Sequence, residues 1–313
     1  MRIATFNLKD FFEPRSDDEA EVVRAKRAHV ADRLLEADAD VVALQEVGSV
    51  PLLQSLVDEE ARALGYTTVH AGPADKRGIG CAILGRLPVM HTRVVAATTL
   101  TFPRFVASDP SPYALPQRRP LVHVRFDAGP VGPVDVFTVH FKSRLAKPMQ
   151  DETGAAVWDR SPRGLGEAYA RSWVMRTAEA LHARGEIDAI FDADPNACII
   201  VMGDFNDTVD SLPTRIVRAN LPDVELGRVL HSCTDVIPAE RRYSILHGGK
   251  PDLLDHVLVS PALAARLTDA RILNETLRDH GPYAADIPLA PDSDHAMVVA
   301  TFKPARQSPR AGL

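Results

Sequence analysis

Cys198-Ile199-Ile200-Val201-Met202-Gly203-Asp204-Phe205-Asn206 places an apolar run ahead of a polar turn, whereas Leu254-Asp255-His256-Val257-Leu258-Val259 places its polar residues first. Both runs read as buried strands. The first predicts a strand over Cys198 to Met202 with Asp204 and Asn206 just past its C-terminal end. The second predicts a strand over His256 to Val259 with Asp255 just before its N-terminal end. If both acids serve one site, the two strands run in opposite directions where they reach it. That requires a mixed or antiparallel sheet and counts against an all-parallel doubly wound fold.

Working outward, the same boundary recurs. Asn7 closes Thr5-Phe6-Asn7, Glu46 closes Leu44-Gln45-Glu46, and His140 follows Val139 in Val139-His140-Phe141-Lys142-Ser143. Asp294-His295 instead precedes an apolar run over Ala296 to Ala300. Turn chemistry accounts for Gly, Asp or Asn at any one of these places. It does not account for a ligand-type residue beside an apolar strand at each of them, and together the set points to one rim of a sheet, where strand ends are rigid and loops are open to solvent.

The chemistry of such a set is phosphoester cleavage. A phosphodiester resists hydrolysis because it is anionic and its leaving oxygen needs charge stabilisation, so a divalent cation, a positioned water and protonated donors all help. Oxygen ligands suit Mg²⁺, with Mn²⁺ as its substitute. Glu46 is the foremost candidate ligand, with Asn7, Asp204, Asn206 and Asp294 beside it. His140 and His295 suit acid/base work or a hydrogen bond to a phosphoryl oxygen, and Asp255 is the natural orienting partner of His295.

Composition narrows the class further. At 313 residues and 45% hydrophobic content the chain can bury a large core, and no linker composition divides it. One domain over residues 1–304 is expected, with a flexible tail at 305–313. Ile3-Ala4-Thr5-Phe6 follows the first residues without a basic start, an apolar signal segment or a cleavage site. A protein without a membrane span is expected, cytoplasmic as given and secreted if the sequence is a processed form. Cys81, Cys198 and Cys233 are too scattered for a disulfide framework. The net charge of -6 argues against tight nonspecific binding to nucleic acid unless the charge is segregated or metal offsets it.

The remaining elements follow from pattern. Helices are expected over Asp17 to Glu36, near Pro51 to Leu64, and over Glu167 to Arg184, where Tyr169, Trp173, Ala180 and Leu181 form a core stripe. Strands are expected over Val41 to Leu44, Thr67 to His70, Gly80 to Leu84, Leu121 to Phe126 and Val134 to Val139. Arg104 to Pro120 is proline-rich and reads as irregular, and Arg144 to Gly166 reads as a long surface loop.

The ordered set from Phe6-Asn7 to Asp294-His295 resembles the endonuclease/exonuclease/phosphatase superfamily, the deoxyribonuclease-I-like fold. The resemblance implies a four-layer α/β sandwich of two packed mixed or antiparallel sheets flanked by helices. It implies that Glu46 binds the metal, that Asn7, Asp204 and Asn206 position metal, water and phosphate, that Asp255 and His295 pair, and that Asp294 contacts the metal or the water. His140-Phe141-Lys142-Ser143 and Tyr243-Ser244 leading to Leu254-Asp255-His256 look most like the bacterial extracellular-nuclease branch. Arg118 or Arg119 resembles an arginine that touches substrate phosphate, and Lys142 is a further phosphate candidate. One departure is Gly80-Cys81-Ala82, which stands where deoxyribonucleases carry the acidic partner of the histidine matching His140.

The function expected is therefore metal-dependent phosphodiester hydrolysis, with nucleic acid as substrate, by in-line attack of water. A phosphomonoester, phospholipid or small phosphoester is the alternative within the same chemistry. From another class, an idle binding scaffold would show lost ligands, and none is lost here.

Overall fold

Successive residues of each central strand enter two different apolar layers, as the period of two along an extended chain requires. The computed structural model describes residues 1–97, 99–101, 103, 104, 106, 108, 114–281 and 289–304. Its principal strands in chain order are β1 (Arg2–Phe11), β2 (Val41–Val47), β3 (Thr68–Ala71), β4 (Gly80–Gly85), β5 (Val89–Val95), β6 (Leu121–Asp127), β7 (Pro133–His140), β8 (Cys198–Asp204), β9 (His231–Ser232), β10 (Asp255–Val259), β11 (Leu267–Ile272) and β12 (Val298–Phe302). They form two six-stranded sheets, ordered β11-β12-β1-β2-β4-β3 and β9-β10-β8-β7-β6-β5.

The faces of the two sheets meet in one core. Ile3, Val41, Ala43 and Ile83 from the first sheet pack with Val124, Val136, Ile200, Met202 and Val257 from the second. The alternate residues Ala4, Val42 and Leu44 face outward onto α1 (Asp17–Ala37) and α2 (Val50–Asp58) through Val30, Leu34 and Leu53. Phe137, Val139, Ile199 and Val201 face the other way, onto Ala180, Ala183, Ile187 and Phe191 of α3 (Pro162–Ala193) and Val217 of α4 (Leu212–Arg218). The result is the expected four-layer sandwich.

Strand directions match the reasoning from polar boundaries. β8 pairs parallel to β7 and antiparallel to β10, and β1 pairs parallel to β2 and antiparallel to β12. Gly203 is fixed by this crowding. It holds φ +147°, and a Cβ there would meet the Val139 carbonyl oxygen at 2.0 Å.

Serine caps set the helix starts. Ser16, Ser49, Ser161 and Ser211 each accept a first-turn backbone N–H through Oγ. The Ser161-Pro162 cap corrects one boundary: α3 starts at Pro162, not Glu167, because proline suits the first helical position and Gly164 and Gly166 are tolerated behind it. It also runs to Ala193 rather than Arg184, with Ile187 and Phe191 continuing its buried face. The aromatic stripe expected in the core is corrected too. Tyr169 and Trp173 are 52% and 39% exposed, while Ala168, Ser172, Met175 and Arg176 face inward.

Smaller differences have local causes. The second helix ends at Asp58, with a separate 3-10 turn at Arg62–Leu64. The loop expected over 144–166 folds into a short hairpin, Met149–Gln150 against Ala156–Val157, before α3 begins. Edge strand β5 escaped the pattern because Val89 to Arg93 are exposed, so no buried alternation marks them. Much of the irregular segment expected over 104–120 lies outside the described residues, as does the tail 305–313; Ala114–Leu115 pairs with Leu100–Thr101. The three cysteines are free and buried. Among the described residues, no helix is long and apolar enough to cross a membrane.

Candidate active site

Pairing register builds the first half of the site. Asp204 lies opposite His140 on β7 and opposite Asp255 on β10, so three chemistry-bearing side chains stand in one row across three strands and point to one face. The second half comes from the other sheet. Asn7 on β1 donates from Nδ2 to Asp204 Oδ2 at 3.0 Å, bridging the sheets at the rim. Below it, the buried Gln45 amide meets Thr5 Oγ1 at 3.1 Å and Thr138 Oγ1 at 3.0 Å, a polar strut within the core.

Irregular backbone aims Glu46. Gln45 and Val47 pair with consecutive residues of β4, so Glu46 is the extra residue of a bulge, at φ +60°. Its Oε2 accepts the Asp10 N–H at 3.0 Å. Its Oε1 faces His140 Nε2 at 3.9 Å and carries no hydrogen bond among the described residues.

Asp204 is held by three donors, with one lone-pair site of Oδ1 left for a further donor. Oδ2 also accepts Asn206 Nδ2 at 3.1 Å and faces His140 Nε2 at 3.4 Å, while Oδ1 accepts the Asn206 N–H at 2.7 Å. Burial raises its carboxyl above the ordinary aspartate range; the His295 charge opposes this and Asp255 adds to it.

His295 and Asp255 form the expected pair, Nδ1 to Oδ2 at 2.7 Å. Ser244 Oγ donates to the same oxygen at 2.7 Å and accepts the N–H groups of Leu254 and Asp255, fixing the carboxylate. Burial disfavours a charge on His295, but Asp255, Asp204 and Asp294 outweigh it and hold the imidazolium up to about 10. His140 is driven the other way. Burial first, then Arg119, His295 and Arg77, push it well below the usual histidine range, so it is neutral. Its Nδ1 is buried without a partner among the described residues, in agreement with the missing acidic neighbour at Gly80-Cys81-Ala82.

The donor set is suited to a hard divalent cation. Ligand-type atoms of Asp204, Asp255 and His295 lie within 4.8 Å of one another. Asp255 Oδ2 and both Asp204 oxygens already accept hydrogen bonds from protein, however. Asp255 Oδ1 has no partner among the described residues but is fully buried, so the more available oxygens are Glu46 Oε1 and Asp294 Oδ1, Asp294 using Oδ2 in an ion pair with Lys9. Asn7 is committed at both ends of its amide, to Asp204 and to the Lys9 N–H at 3.0 Å, so it positions the centre from the side.

The cationic candidates divide. Lys142 donates its ammonium to Ser143 O, Ser143 Oγ and Leu145 O, so its donors serve the loop rather than a phosphate. Arg119 is buried and donates to Phe141 O at 2.8 Å. Arg118 has no partner among the described residues, and burial, then the charges of Arg119 and Arg77, depress its pKa. Arg144 and Arg163 pair with Asp252 and Glu167, and Arg160 lies over the Trp158 ring.

Several contributors left no motif. Glu179 of α3 accepts the Lys142 N–H at 2.6 Å, and Arg176 joins Asp207 Oδ2 at 2.6 Å and Lys142 O at 3.1 Å, so α3 braces both loops that carry the site. His256 Nε2 meets Asp207 O at 2.8 Å from below. Burial of polar side chains inside a long helix was the available signal, and it needs the fold to be read.

Comparison with known proteins follows this geometry. The endonuclease/exonuclease/phosphatase family model matches residues 4–295. No curated protein matches the sequence. Similar solved structures include truncated Caenorhabditis elegans TDP2, 17% identical, TM-score 0.57, covering 96% of each chain. The 3′ phosphatase NExo from Neisseria, bound to product DNA hairpin, is 21% identical, TM-score 0.56, covering 97% of this chain and 99% of its own. A mannosyl-6-phosphatase from Bacteroides thetaiotaomicron is 17% identical, TM-score 0.57, covering 97% and 99%. Identities this low establish a shared fold.

Proposed function

The chain belongs to the endonuclease/exonuclease/phosphatase family and is a phosphoric ester hydrolase, and from that premise we propose a divalent-metal-dependent phosphodiesterase acting on nucleic acid. The observation that carries the choice of a polyanion is the cationic rim beside His140. Burial, then the charges of Arg119 and Arg77, depress Arg118, and Glu179 and Asp75 oppose this; Arg77 pairs with Asp75 and Arg119 donates to Phe141 O. Burial, then the charge of Arg118, lowers Lys147 as well. Crowded cations, with Arg118 lacking a hydrogen-bond or ion-pair partner among the described residues, in a chain of net charge -6 fit an anion larger than one phosphate.

Glu46 would supply the oxygen that holds Mg²⁺, or Mn²⁺ in its place, with Asn7 beside it, and Asp294, paired through Oδ2 with Lys9, would contact the water. When bound, the cation would offset charge on the phosphoryl oxygens and make water more acidic. The protein's own groups do the rest. Asp204, fixed by Asn7 and Asn206, orients the attacking water and takes its proton as the bond to phosphorus forms and the bond to the leaving oxygen breaks. His295, charged and held through Nδ1 by Asp255, directs Nε2–H at the phosphoryl group. Neutral His140 adds a second imidazole on the Glu46 side.

Arg118→Ala tests the substrate class. It is expected to raise KM for DNA or RNA and to flatten the slope of log(kcat/KM) against log salt by about 1, as loss of one phosphate contact does. An equal, salt-independent loss on p-nitrophenyl phosphate and on polymer would contradict the polyanion reading.

A further inference from the structure

Lys9 stands two residues past Asn7, and its ammonium pairs with Asp294 Oδ2, both side chains being mostly buried, at 16% and 12% exposure. No sequence pattern marks it. The backbone is bent to deliver it: Lys9 and Asp10 hold φ +48° and +53°, where the β1–β2 register jumps from Asn7 to Phe11. Non-glycine residues adopt that region at a cost, so surrounding contacts must hold them there.

Those contacts are site residues. The Lys9 N–H donates to Asn7 Oδ1 and the Asp10 N–H to Glu46 Oε2, each at 3.0 Å. Ser293 Oγ donates to Asn7 O at 2.7 Å, and the buried Lys26 ammonium donates to Leu8 O and Asp292 O at 3.0 Å each. The turn after Asn7 and the segment leading to Asp294 are therefore stitched together from both sides. The ammonium and the carboxylate are presented to each other by fixed backbone rather than by two free surface side chains.

We propose that Lys9 is the permanent counter-ion of Asp294, and that the centre consequently takes a single divalent cation, at Glu46. This rests on the metal-dependent reading above. An ammonium on Asp294 supplies positive charge where a second cation would otherwise sit, and a divalent ion approaching that carboxylate meets like charge at short range. Lys9 is thus a positioning residue: it sets where Asp294 points and how many ions the site accepts.

Mn²⁺ titration of the metal-stripped full chain, read by calorimetry and by electron paramagnetic resonance, tests this. The wild type should bind one Mn²⁺ and Glu46→Gln should lose it. Lys9→Met should gain a second, weaker ion that disappears in Lys9→Met/Asp294→Asn, and Lys9→Arg should return to one. Circular dichroism identifies any variant that fails to fold, in which case Lys9→Gln takes the place of Lys9→Met. Two ions in the wild type, or one ion of unchanged affinity in both neutral Lys9 variants, would overturn the role of Lys9 while leaving metal dependence standing. No ion in the wild type would remove the metal-dependent reading itself, and this inference with it.

Discussion

His295→Ala is expected to lower turnover by about 10²–10⁴-fold, the range for loss of one acid/base or electrostatic group. It is also expected to destabilise the fold, by about 3–5 kcal/mol, because a buried charge loses its partner. Asp255 is fully buried; among the described residues its Oδ2 receives only His295 Nδ1 and Ser244 Oγ, and its Oδ1 has no partner. The double variant His295→Ala/Asp255→Ala separates the two effects. Removing both charges should restore much of the stability and none of the turnover. Urea unfolding and kcat on the same preparations check both; a twofold loss of turnover in His295→Ala would remove the residue from the mechanism.

Asp204→Asn carries the second large effect. The change keeps the shape and removes the charge, yet the surroundings cannot accept an amide. Oδ2 receives Asn7 Nδ2 and Asn206 Nδ2, and Oδ1 receives the Asn206 N–H, so either orientation turns an NH₂ toward a donor. A mispaired buried group costs about 1–3 kcal/mol. The loss of the water's acceptor should cost about 10²–10⁴-fold in turnover. The activity lost should not return at higher metal concentration, because Asp204 acts on water and on its neighbours through oxygens already bonded to protein. Recovery to wild-type turnover in saturating Mg²⁺ or Mn²⁺ would show Asp204 to be chiefly a metal ligand.

Much of this site was legible in the sequence because strand chemistry and site chemistry share the same residues. The run into Asp204 and the run out of Asp255 fixed opposite strand directions before any coordinates, and their register shows them side by side. Asn7, Glu46, His140 and His295 were visible for the same reason: each interrupts an apolar run. What stayed hidden depends on long-range geometry. Arg118 and Arg119 are indistinguishable as neighbours in the chain, but Arg119 donates to Phe141 O while Arg118 has no hydrogen-bond or ion-pair partner among the described residues. Lys142 follows the histidine strand as a phosphate contact should, yet the carbonyls of its own loop take its donors. Lys9 carries no signal, because nothing in a sequence reports two consecutive left-handed residues. The exposed Tyr169 and Trp173 show the opposite failure, in which an apolar stripe at helical spacing was assigned to the core while smaller and polar residues of α3 were the ones buried.

The central claim is metal-dependent cleavage of a polymeric phosphodiester through Glu46. It is tested most directly by hydrolysis of plasmid DNA, single-stranded DNA, RNA, bis-p-nitrophenyl phosphate and p-nitrophenyl phosphate, by wild type and Glu46→Ala, in Mg²⁺, Mn²⁺ or chelator. The predicted result is polymer cleavage that needs metal, stops in chelator and is lost in Glu46→Ala. Undiminished metal-dependent turnover by Glu46→Ala would contradict the assignment of the metal site, and activity confined to the small esters would contradict nucleic acid as the substrate.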